Sequence, residues 1–409
     1  MNDDQPLKPD TLLVSGGGGP PSPWPSGMST PLFPSVTYDL GPSAYSDIMA
    51  TGGRDTWWYT RLRNPTIEAV AGKLARLEGA DGAILFSSGM AAIATTLIAL
   101  LPPGASMVAA RDLYGDVFTL LSRELTLQGR EVVFVAVDDH AGWREALERG
   151  ASMLYVETLS NPMLRLPDLP ALAELAHLHG AVAVADATFT PPTDLRVLDH
   201  GFDVVLHSAT KYLNGHSDLI AGVMAGRAAQ HEKVRAQAAM LGGCLDPFGA
   251  WLLDRGLKTL AIRMERQRTS AFTVAQALAE HDEVHAVAHP GLAEHPDHRL
   301  AARLLPGGSA LLSFRVKGGD ERALNVLAAL SIIRQATSLG GVESLASTPY
   351  NTSHLGLTQE QLMRAGVEPG TIRLSVGVED PTDLIDDLDR ALRRTAQVST
   401  PSNRRRREG

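Results

Sequence analysis

From residue 65 onward the apolar positions follow two alternating rhythms. One has helical spacing: Ile67, Val70, Leu74 and Leu77 form a stripe, and Gly79 is a plausible stop. The other is a series of short runs with hardly a polar residue: MVAA from Met107, VVFVAV from Val132, MLYVE from Met153, VAVAD from Val182, VVLH from Val204 and AGVMAG from Ala221. Helix-like stretches such as LPALAELAHLHG (169–180) lie between them. Strands apolar on both faces, alternating with helices, predict an α/β fold with a mostly parallel central sheet covered on both sides.

The rhythm changes after about residue 256. SALLSFRV (309–316) and TIRLSVGV (371–378) read as strands, and ERALNVLAAL (321–330) and DLIDDLDRAL (383–392) as helices, which predicts a smaller C-terminal α+β domain. The first sixty residues follow neither pattern. GGGGPPSPWPSG (16–27) excludes regular helix and central strand and reads as an extended arm, while Trp57, Trp58 and Tyr59 beyond it suggest that the arm packs on something. The expected organisation is an N-terminal arm (1–62), a main domain (63–255), the α+β domain (256–396) and a disordered basic tail containing RRRRE (397–409). There is no internal repeat.

Composition narrows the class. With 409 residues, 44% hydrophobic and 20% charged, the chain is that of a soluble globular protein of two or three domains. A formal net charge of −9 argues against a nucleic-acid partner. The single cysteine, Cys244, allows no intrachain disulfide, which fits a reducing cytoplasm; LGGCLDP offers it no neighbouring histidine, so it reads as apolar filler. The opening MNDDQPLKPD lacks a signal pattern, and the longest apolar run (90–101) is too short to span a bilayer and reads as a buried helix, so no membrane partner is expected.

Four short stretches carry chemistry. Active sites of such sheets lie at the carboxyl ends of strands, where Glu157, Asp186 and Lys211 all fall. SSGMAAI (87–93) presents free backbone N–H groups at a helix start, an anion site or simply a good N-terminus. Asp186 in VADATF (184–189) ends an apolar strand, so it needs a cation or hydrogen-bond donors; a structural ion pair would also satisfy it. In HSATKYLNGHSD (207–218), Lys211 follows an apparently buried strand among the hydroxyls of Ser208 and Thr210. A desolvated amine there can act as nucleophile and base, and the hydroxyls can hold a phosphate. In DLYGD (112–116), Tyr114 offers a ring face at the carboxyl edge, or is ordinary turn chemistry. A phosphate, a planar ring with a basic nitrogen and an aldehyde that condenses with an amine describe pyridoxal 5'-phosphate. No GxGxxG follows the first strands, so a nicotinamide cofactor falls behind.

With YTRLRNPT, SSGMAA, DLYG, ETLSNP, VADATF, HSATKYLNGHSD, SLGGVESL and IRLSVGVED, the chain resembles the Cys/Met-metabolism pyridoxal-phosphate enzymes from about Thr30 to Ala396. That group includes cystathionine lyases, cystathionine γ-synthase and methionine γ-lyase. The resemblance implies a pyridoxal-phosphate transferase fold of type I. It implies that Lys211 forms the Schiff base, that Asp186 pairs with the ring nitrogen, and that Tyr114 stacks on the ring and assists at the leaving group. It also implies a phosphate cradle of Gly89, Met90, Ser208 and Thr210, with Thr188 beside the cofactor. Tyr59 and Arg61 match a pair that reaches the phosphate of a neighbouring subunit, which implies a homodimer with shared active sites, usually paired into a homotetramer. Arg373 matches the arginine that grips the substrate α-carboxylate, with Asn161 and Ser338 close by; a structural salt bridge is the other reading of Arg373. No metal is expected.

The same resemblance leaves the substrate open. Thr337 stands where cystathionine-handling relatives commonly carry glutamate, a neutral choice resembling the methionine γ-lyase pattern. Asp116 stands where typical methionine γ-lyases carry cysteine; it could bind a distal amine or, the favoured reading, cap a helix. Ala187 and STPYNTSH (347–354) are further departures. The expected activity is a sulfur amino-acid C–S lyase acting by γ-elimination on methionine or cystathionine. The alternatives are γ-replacement on an O-acylhomoserine, cystathionine β-elimination, and a catalytically silent homologue, against which intact Lys211, Asp186, Tyr114 and Arg373 speak.

Overall fold

The computed structural model describes residues 7–16, 27–42, 44–51, 53, 56–353, 355, 358–364 and 366–396. The Gly/Pro-rich part of the arm (17–26), the basic tail (397–409) and His354 lie outside the described residues. Two compact units divide the chain, one drawn from Met1–Leu159 and Leu166–Met264, the other from Ser160–Arg165 and Glu265–Gly409.

The first unit is built on a seven-stranded sheet. Its strands are β1 (Gly82–Phe86), β2 (Ser106–Ala110), β3 (Glu131–Val135), β4 (Met153–Glu157), β5 (Val182–Asp186), β6 (Val204–Ser208) and β7 (Gly222–Gly226), in the spatial order β1-β7-β6-β5-β4-β2-β3. Every strand but β7 runs the same way; β7 is antiparallel to both β1 and β6. The apolar runs read from the sequence are β2 to β7. β1, GAILF, was not among them: five residues directly after a helix stop carry too little pattern to separate strand from loop.

The region expected to be irregular holds two short helices, α1 (Pro9–Ser15) and α2 (Ala44–Thr51). The buried Leu12 and Leu13 of α1 explain why it is seated on the unit. Buried Lys73 donates to the Leu13 carbonyl at 3.1 Å and pairs with Asp254, which also accepts from Thr30 Oγ1 at 2.9 Å. The helical stripe from Ile67 belongs to α3 (Pro65–Glu78), which closes on Gly79 at φ 67°, a left-handed stop that glycine takes without strain. Asn64 starts it: Oδ1 accepts from Thr66 N at 2.9 Å, and Nδ2 donates to Phe33 O at 2.9 Å, so one side chain caps a helix and clips the preceding segment to it. The apolar run after SSG is α4 (Gly89–Leu100).

The second unit has a five-stranded sheet of β8 (Val284–Ala288), β9 (Leu311–Val316), β10 (Arg334–Gln335), β11 (Leu345–Ser347) and β12 (Thr371–Ser375), ordered β10-β11-β12-β9-β8. Only β10 and β11 are parallel among these pairings. Leu384, Leu388, Ala391 and Leu392 of helix Pro381–Ala396 pack with Phe314, Ile372 and Leu374 of the sheet in a buried core. Beside it the buried Asp387 carboxylate accepts the N–H groups of Ser331, Ile332 and Ile333.

Candidate active site

At the carboxyl ends of β4, β5 and β6 the structure links most of the residues singled out in the first unit. Ser88 caps α4, its Oγ accepting from Ala91 N at 3.0 Å. Gly89 opens the helix against Ser208: a Cβ built on Gly89 would lie 2.8 Å from Ser208 Cβ. On the other side, a Cβ on Gly222 of β7 would lie 2.1 Å from the Ser88 carbonyl oxygen. Glycine at both positions lets strand and loop close on the helix start. There, the N–H groups of Gly89 and Met90 have no intrahelical acceptor.

From Ser208 the contacts run on to the neighbouring strands. Ser208 N donates to Thr188 Oγ1 at 2.8 Å, and Thr188 N donates to Asp186 Oδ1 at 2.8 Å. The turn bearing Lys211 is tied to β6 by Lys211 N donating to Ser208 O at 3.1 Å. Thr210 is fixed to the chain entering β7, its Oγ1 accepting from Ala221 N at 3.0 Å. Lys211 itself is half-buried, between Ala209 and Tyr212, which fill the core.

Asp186 is 8% exposed. Burial pushes its carboxyl above the usual range, while hydrogen bonds from Thr188 and the charge of His207 pull it back. Beside it in register stands Glu157, also 8% exposed, whose Oε1 accepts from Tyr114 N at 2.7 Å. Sequence reasoning noted Glu157 as a strand-end carboxylate and gave it no role. Its signal was the one that exposed Asp186: an acid closing an apolar run.

Tyr114 precedes the short helix α5 (Gly115–Thr119). Asp116 does not supply the expected cap, because the N-cap residue of α5 is Tyr114 and no side chain caps it. The Asp116 carboxylate instead accepts from the Tyr114 hydroxyl at 2.8 Å. Tyr59 forms a bridge with Thr37, and the exposed Arg61 guanidinium lies 5.3 Å over the Tyr59 ring and donates to the Ala239 carbonyl. Among the described residues neither is hydrogen-bonded to the cluster around Ser208 and Asp186.

In the second unit Arg373, 6% exposed on β12, donates to Asn161 Oδ1 at 3.2 Å and to the Ser338 carbonyl at 2.9 Å. Both acceptors are neutral oxygens. Ser338 has φ 83°, a left-handed conformation uncommon outside glycine, and its carbonyl accepts from the guanidinium. Thr337 beside it is exposed.

The first unit's residues fit pyridoxal phosphate. The helix start with its glycine-made close approach suits the phosphate. A buried carboxylate with hydrogen bonds from Thr188 and with a neighbouring histidine suits a protonated ring nitrogen, and an amine stands one turn beyond β6. Among the described residues no group of three or more His, Cys, Asp or Glu could hold a metal ion, and no helix is long and apolar enough to cross a membrane.

A mostly parallel sheet with this constellation at its carboxyl edge defines an α/β enzyme dependent on pyridoxal phosphate. The pattern of the Cys/Met metabolism PLP-dependent enzymes matches residues 10–393, and the chain belongs to that family. It is 40% identical over 373 residues to an L-methionine γ-lyase of Pseudomonas deceptionensis, covering 90% of this chain and 91% of that one. It is 38% identical to a cystathionine β-lyase of Coxiella burnetii, over 94% of this chain and 97% of the relative. The crystal structure of cystathionine γ-synthase from Xanthomonas oryzae pv. oryzae, in complex with aminoacrylate and cysteine, superposes with a TM-score of 0.91 at 35% identity. That match covers 96% of this chain and 100% of the other.

Proposed function

We propose that the protein is a C–S lyase that releases 2-oxobutanoate, ammonia and a thiol from methionine or cystathionine by γ-elimination. The observation that carries this reading is the linked set Gly89, Ser208, Thr188 and Asp186 around the turn of Lys211, in a chain 40% identical to a methionine γ-lyase. The cofactor, when bound, supplies an aldehyde for condensation with amines and a ring that delocalises the negative charge left at the substrate Cα.

The chain's residues do the rest. Lys211 would hold the cofactor through its amine, and the same amine would move the substrate's Cα proton and then a Cβ proton. Asp186 keeps a proton at the ring nitrogen. Gly89 and Met90 N–H groups, with Ser208 and Thr210, hold the phosphate, and Tyr114 covers the ring and delivers a proton to the departing sulfur. Arg373 receives the substrate α-carboxylate, a task its planar fork suits. Tyr59 and Arg61 serve the phosphate of a second copy, in a homodimer with shared active sites that pairs into a homotetramer in the cytoplasm. The exposure of Arg61 in the single chain supports that assignment. A neutral, exposed Thr337 favours a substrate whose distal group is uncharged.

Cofactor-loaded protein incubated separately with methionine, cystathionine, cysteine and O-acetylhomoserine tests the reading by the keto acid formed. 2-Oxobutanoate from methionine or cystathionine is expected. Pyruvate alone would make the enzyme a β-lyase, and turnover only when a thiol accompanies the homoserine ester would make it a synthase.

A further inference from the structure

We propose that Glu157 is a positioning residue that works as a neutral carboxylic acid: one oxygen holds the Tyr114 turn, the other carries a proton, and Asp186 remains the carboxylate at this end of the sheet. The purpose of that neutrality rests on the cofactor reading above; the neutrality itself follows from geometry. The β4–β5 register pairs Glu157 with Asp186, and paired positions of neighbouring strands point to the same face, their backbones about 4.8 Å apart. Both side chains are buried. Two buried carboxylates on one face of the sheet disfavour each other's charge, which favours one proton staying with the pair.

The surroundings decide which acid keeps it. Asp186 is favoured as the anion by the Thr188 N–H and hydroxyl and by the charge of His207 on β6. Glu157 accepts from Tyr114 N and faces Asp112 in the turn after β2 as well as Asp186. On the same face, the buried Tyr155 hydroxyl has no hydrogen-bond partner among the described residues and supplies no positive charge. Burial, first, and then the Asp186 charge push the Glu157 carboxyl well above the usual range. A neutral Glu157 thus anchors the Tyr114 backbone without dividing the charge that Asp186 presents to the ring nitrogen.

The test compares full-length wild type, E157Q and E157A by thermal midpoint at pH 5 and pH 8, cofactor-stripped and reloaded, together with kcat. A raised carboxyl pKa contributes stability in full below the unfolded value of about 4.3, and that contribution is lost as pH rises toward the folded value. Glutamine cannot lose a proton, so the midpoint of E157Q should gain on wild type between pH 5 and pH 8, by a few degrees. E157A, which frees the Tyr114 turn, should lose kcat by about tenfold or more, and E157Q distinctly less. A midpoint of E157Q that falls further below wild type at pH 8 would mean an ionised Glu157 and overturn the proposal, as would equal kcat losses in the two variants. Failure to take up cofactor would sink the enzymatic reading instead, and the midpoints of the stripped proteins would still locate the proton.

Discussion

At Tyr114 a single hydrogen bond separates two accounts of Asp116. A carboxylate free to meet a substrate's distal ammonium would matter only for substrates that carry one. A carboxylate that accepts from the Tyr114 hydroxyl at 2.8 Å fixes the direction of that hydroxyl for every substrate. Both side chains are exposed in the single chain, so the bond is worth about 1 kcal/mol, roughly a fivefold change in rate. D116A should therefore lower kcat about fivefold with methionine and cystathionine alike. In a double-mutant cycle it should cost nothing further in the Y114F background. A loss confined to the KM for cystathionine would give Asp116 to the distal ammonium. Asp186 was legible in the sequence because its type contradicts its setting: it is a carboxylate closing an apolar run, and apolar surroundings make such a group costly without a partner. The Glu157–Tyr114 bond was not legible, because it joins residues 43 apart through the order of strands across the sheet. The Asp116 cap was misread for a related reason: sequence gives the distance from a helix start and is silent on a competing phenol.

The start of α4 is the element that the glycines protect. An added methyl at Gly222 would meet the Ser88 carbonyl at 2.1 Å, and that oxygen is backbone, so the helix start must move. G222A is expected to destabilise the protein by about 1–3 kcal/mol and to weaken cofactor retention along with it. Thermal unfolding and the cofactor absorbance left after dialysis would measure both; a normal midpoint with full retention would show that β7 and α4 can part without cost. Among elements, the long buried runs β2 to β7 and the stripe of α3 were readable because their length and period exclude alternatives. The direction of β7 was not. GVMAG is buried throughout and carries the same residue types in either orientation, so only its pairing with β1 and β6 reveals it. In the second unit β10 is two residues long and β11 three, below any periodic signal.

For the molecule as a whole, the decisive question is whether Arg61 serves the chain that carries it. Its guanidinium is exposed and bonded to the Ala239 carbonyl, while the anion site of the same chain is built from α4, β6 and the turn after β6. If each site takes Lys211 from one copy and Arg61 from another, two inactive variants should rescue each other. R61A loses a charge-assisted phosphate contact, and K211A loses the amine that moves the proton, so each alone should be nearly inactive. In a mixed dimer the K211A copy lends its Arg61 to the intact Lys211 of the R61A copy and restores one site of two. Random association makes half of the dimers mixed, so the equimolar mixture, unfolded and refolded together, should recover about a quarter of wild-type activity. If each chain built its site alone, every site in that mixture would still lack one residue. No activity would then return at any ratio, and a recovery that peaks at equal proportions is the signature of a site made by two chains.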